Sequence, residues 1–158
     1  MEDKPKKNKL EDLTEEERQK VVWIAMQAET IKEYVLDKKL SMKNMFELDD
    51  LLNESYDEFL PENNTEKLTD ICFDFVKILN NAEQKLTLNI SKYISLIIDG
   101  GYILTKNQII ECKSLISRIK EKIIPRLKRK SFNEAIKLLE GAIMGLEIKL
   151  AYDSGVEE

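Results

Sequence analysis

SFNEAIKLLEGAIMGLEIKLAY, residues 131–152, is the longest stretch with apolar residues on more than one helical face, and its reading decides the fold. Ser131 followed three residues later by Glu134 has the form of a capping box, in which each side chain satisfies an unpaired backbone donor at a helix start. Phe132, Ala135, Ile136, Leu139, Ala142, Ile143, Leu146 and Leu150 then recur at steps of three and four, which places them on one broad stripe of a helix. A second seam, Leu138, Gly141, Gly145, Ile148 and Tyr152, advances by the same steps on another face, and its glycines would let a second backbone approach closely. Two apolar faces call for two partners. The stretch therefore reads as a central helix, its second seam covered either by other helices of the chain or by the same seam of a second copy in a homodimer.

Upstream of it, Thr105 and Gln108 form another capping box and open a helix with the seam Ile109, Cys112, Ile116, Ile119, Ile123 and Leu127. Pro125 interrupts that helix, because proline lacks an amide proton and its ring crowds the turn before it, so a kink or restart is expected near Ile124. Before this, Asp99-Gly100-Gly101 supplies a left-handed residue suited to end a helix. Residues 65–80 carry Leu68, Ile71, Cys72, Phe75 and Leu79 on one stripe, and Asn80-Asn81 is read as a break, with Asn81 capping a separate helix that reaches Ile98. Residues 44–60 bury Met45, Leu48, Leu51, Leu52, Tyr56 and Phe59, and Pro61, Asn63 and Asn64 end that segment. The first helix, residues 15–40, starts at the capping box of Thr14 and Glu17 and has the seam Val21, Ile24, Ala28, Ile31 and Val35. Trp23 and Tyr34 lie off that seam and are expected to pack beneath a neighbouring helix.

The pattern predicts an all-α protein, a single-domain bundle of about six helices over residues 14–152. Residues 1–13 read as a disordered charged tail and residues 153–158 as a frayed acidic one. No apolar run approaches the roughly eighteen residues of a membrane span, so the expected setting is cytoplasmic, with no membrane partner. Cys72 and Cys112 lie on apolar faces and are expected to be reduced, buried thiols.

The chain contains no histidine, which removes the commonest general base and the commonest metal ligand. A zinc site is thereby nearly excluded, and no cofactor and no catalytic residue is assigned. Gly100-Gly101 is followed by Tyr102-Ile103-Leu104, so it is no phosphate-binding loop. Charge is the strongest functional hint. Residues 44–74 hold ten acids and one base, a net of −9, while residues 113–130 hold eight bases and one acid, a net of +7. Glu47, Asp50, Glu54 and Asp57 stand on one helical face and are candidates for contact with a basic protein. Arg118, Lys122, Arg126 and Arg129 form a candidate phosphate-binding stripe on the helix that contains Pro125.

These features point to a non-enzymatic protein–protein interaction module, a small regulator or adaptor whose charged faces select a partner protein. Nucleic-acid binding through the basic stripe is an alternative, not favoured at a whole-chain charge of −5. A second alternative is a magnesium-dependent nucleotide hydrolase, since Glu47 with Asp50 and Glu54 with Asp57 have the spacing that presents two carboxylates on one face.

Overall fold

The computed structural model describes residues 13–36, 41–59 and 64–157, and among these every regular element is a helix. The order is α1 (Glu15–Leu36), α2 (Met42–Phe59), α3 (Asn64–Asp99), α4 (Lys106–Arg118), a π-helical turn (Ile119–Ile123), α5 (Ile124–Arg129) and α6 (Asn133–Glu157). The chain is all-α, as its periodicity predicts. It divides into two compact units, Met1–Lys85 and Leu86–Glu158, with the division falling inside α3.

In the first unit, α1 begins where the sequence places it. The Thr14 amide donates to Glu17 Oε1 and the Glu17 amide to Thr14 Oγ1, each at 3.1 Å. Of the expected seam, Val21, Ile24 and Ile31 are buried; Tyr34, rather than Val35, completes the buried face. Residues 37–40 of the expected first helix lie outside the described residues. Leu13, the last residue of the expected tail, is buried, and its carbonyl accepts from Arg18 at 3.5 Å. α2 starts two residues early because Ser41 Oγ accepts the Asn44 amide at 3.2 Å and so serves as the cap. Met45, Leu48, Leu52 and Tyr56 are its buried face, and α1 packs against it.

Asn80-Asn81 does not break α3, which runs unbroken from Asn64 to Asp99. The buried positions Cys72, Phe75, Leu79, Ala82, Leu86, Ile90 and Ile94 keep steps of three and four straight through the pair. An interior asparagine costs a helix only about 0.7 kcal/mol relative to alanine, far less than one continuous apolar face returns. Asn80 is occupied besides: its Oδ1 accepts the Tyr56 hydroxyl at 3.4 Å.

In the second unit, α3 ends at Asp99 and Gly101 takes φ +73°, the left-handed residue the sequence supplies. A Cβ on Gly100 would meet the Tyr102 ring at 2.6 Å and the Leu96 carbonyl at 3.1 Å, so a side chain there requires the Tyr102 ring to shift, and at Gly101 the left-handed backbone would strain any other residue. The Thr105–Gln108 capping box forms with both bonds present, at 2.9 and 3.2 Å. The expected seam of the next helix is buried from Ile109 to Leu127. Pro125 acts as predicted: the Ile124 amide donates to the Ile119 carbonyl five residues back, a widened turn that lets the helix restart with proline in its first turn.

Ser131 does not cap α6. It has φ +60°, its amide donates to the Lys128 carbonyl at 3.1 Å, and the Phe132 amide donates to the Leu127 carbonyl at 3.0 Å. That bond pair is a Schellman motif closing α5, with serine in the left-handed place usually held by glycine. The first bond of α6 runs from the Ile136 amide to the Phe132 carbonyl at 3.1 Å. The helix otherwise follows its sequence: Ile136, Leu139, Ile143, Leu146 and Leu150 are buried, and both α4 and α5 pack against it. It continues to Glu157 instead of fraying at 153, because Asp153 is itself buried.

Candidate functional site

Of the four acids proposed for a common face on α2, Asp50, Glu54 and Asp57 are exposed and Glu47 is only partly so. Glu47 Oε2 accepts the Tyr34 hydroxyl at 2.6 Å. That hydrogen bond, with burial and the carboxylate's charge, pushes the tyrosine up to about 12. Glu47 thus fastens α2 to α1, and the acidic face is reduced to Asp50, Glu54 and Asp57. Asp49 and Ser55 are buried: Asp49 stands four residues after Met45 and three before Leu52, and Ser55 seven after Leu48, so helical spacing puts both on the apolar face although their polarity argues for solvent.

The basic stripe is broken in the same way. Lys122 and Arg129 are exposed and Arg118 is partly buried, but Arg126 is only 1% exposed. Steps of four drift around a helix, and Arg126, seven residues after the buried Ile119 and three after the buried Ile123, falls on the buried side with Leu127. The row expected from the spacing is therefore interrupted at Arg126.

Among the described residues, no group of three or more aspartate, glutamate, cysteine or histidine side chains could hold a metal ion. Cys72 and Cys112 are free and buried, as expected. Burial pushes the Cys72 thiol up to about 11, away from the range of a reactive thiolate, and raises that of Cys112 as well.

The second seam of α6 is where the structure departs most from internal packing. Leu138 is 43%, Ile148 67% and Tyr152 70% exposed, and Met144 beside them is 64% exposed. A Cβ on Gly141 would meet nothing within 4 Å, and one on Gly145 would meet only the tip of Ile98 at 3.1 Å, so no other backbone crosses this helix at its glycines. Among the described residues the seam is exposed rather than buried. At its C-terminal half it opens into a groove of about 370 Å³ lined by Ile98, Tyr102, Ile103, Gly145, Ile148 and Tyr152.

One wall of that groove, the loop after α3, is held in place by a polar clamp. The Leu104 amide donates to Asp153 Oδ2 at 3.0 Å, and Lys149 Nζ lies 3.1 Å from the same oxygen and donates to the Tyr102 carbonyl at 3.1 Å. The bond from Leu104, reinforced by Lys149, holds the Asp153 carboxyl below the usual aspartate range against the opposing effect of burial. With the loop fixed, Tyr102 and Ile103 stand about half exposed at the groove edge. Sequence reasoning names Tyr152 and Ile148 for this surface but misses Tyr102 and Ile103. The available signal is a Gly-Gly-Tyr-Ile loop, whose apolar side chains have no periodicity to report them.

Among the described residues, no helix is long and apolar enough to cross a membrane. Comparison with models of protein families, with curated proteins and with solved structures finds no match.

Proposed function

We propose that this protein is a non-enzymatic helical interaction module, a small regulator or adaptor that works by binding protein. The observation that carries the reading is the outer face of α6. α6 carries apolar residues on two faces, and among the described residues one face is buried while the other leaves Leu138, Ile148 and Tyr152 exposed. The exposed charges, Asp50, Glu54 and Asp57 on α2 and Lys122 and Arg129 beyond α4, add orientation and choice of partner to an apolar contact rather than its main affinity.

The test is gel filtration of native host extract containing the tagged chain. The chain is expected to elute well above its own 18.4 kDa, and Ile148→Glu is expected to move it to the position of a monomer. Elution of the unaltered chain as a monomer in extract overturns the reading.

A further inference from the structure

We draw no further inference here: the strongest candidate, the apolar groove between the C-terminal half of α6 and the loop after α3, lined by Ile98, Tyr102, Ile103, Ile148 and Tyr152, belongs to the surface already described, and nothing in the structure shows what covers it.

Discussion

At Ser131 the backbone takes a left-handed conformation that residues other than glycine rarely adopt. A left-handed backbone costs an L-residue roughly 1–2 kcal/mol, and here the cost is met because the two Schellman bonds satisfy carbonyls at the end of α5. Ser131→Gly should therefore raise the unfolding free energy by about 1 kcal/mol, read from urea denaturation, whereas a true N-cap serine would lose only a few tenths on the same change. Asp153 gives a second test, through pH. Its carboxyl is held below the ordinary aspartate value, so its stabilising contribution is complete above about pH 4 and drains away as the pH falls through the lowered value. Asp153→Asn keeps an acceptor for Leu104 but loses the charge facing Lys149. It should cost about 1–2 kcal/mol at neutral pH, and the gap from the unaltered chain should close in acid. A gap independent of pH would mean that the clamp does not depend on ionisation.

For the elements, the informative case is α3. Asn81 is exposed in the middle of a continuous helix, so Asn81→Ala should stabilise the chain by about 0.5 kcal/mol through helix propensity alone. If Asn81 capped a separate helix, the same substitution would cost about 1 kcal/mol. Thermal unfolding distinguishes these outcomes by sign. The helix containing Pro125 illustrates a different lesson: proline announces a disruption in the sequence but not its form, which here is a π turn followed by a restart with proline in the first turn.

For the whole molecule, the expected far-UV circular dichroism spectrum is that of a strongly helical chain with no strand signature; a sheet-dominated spectrum would refute the fold. Sequence by itself determined whatever is settled within about four residues along the chain: the helical class, the starts at Thr14 and Thr105, the left-handed Gly101, the disturbance at Pro125 and the buried stripe from Ile136 to Leu150. Those features follow from backbone donors, residue shape and the period of the helix, all of them local. Only the tertiary structure decided that Ser131 ends a helix instead of starting one and that α3 runs through its asparagines. It also withdrew Glu47 and Arg126 from the charged faces that their spacing suggests. In each of these cases the sequence offers more than one local solution, and contacts distant along the chain select between them. The second seam of α6 belongs to the same class: its apolar period is plain in the sequence, but its exposure among the described residues is seen only in the structure.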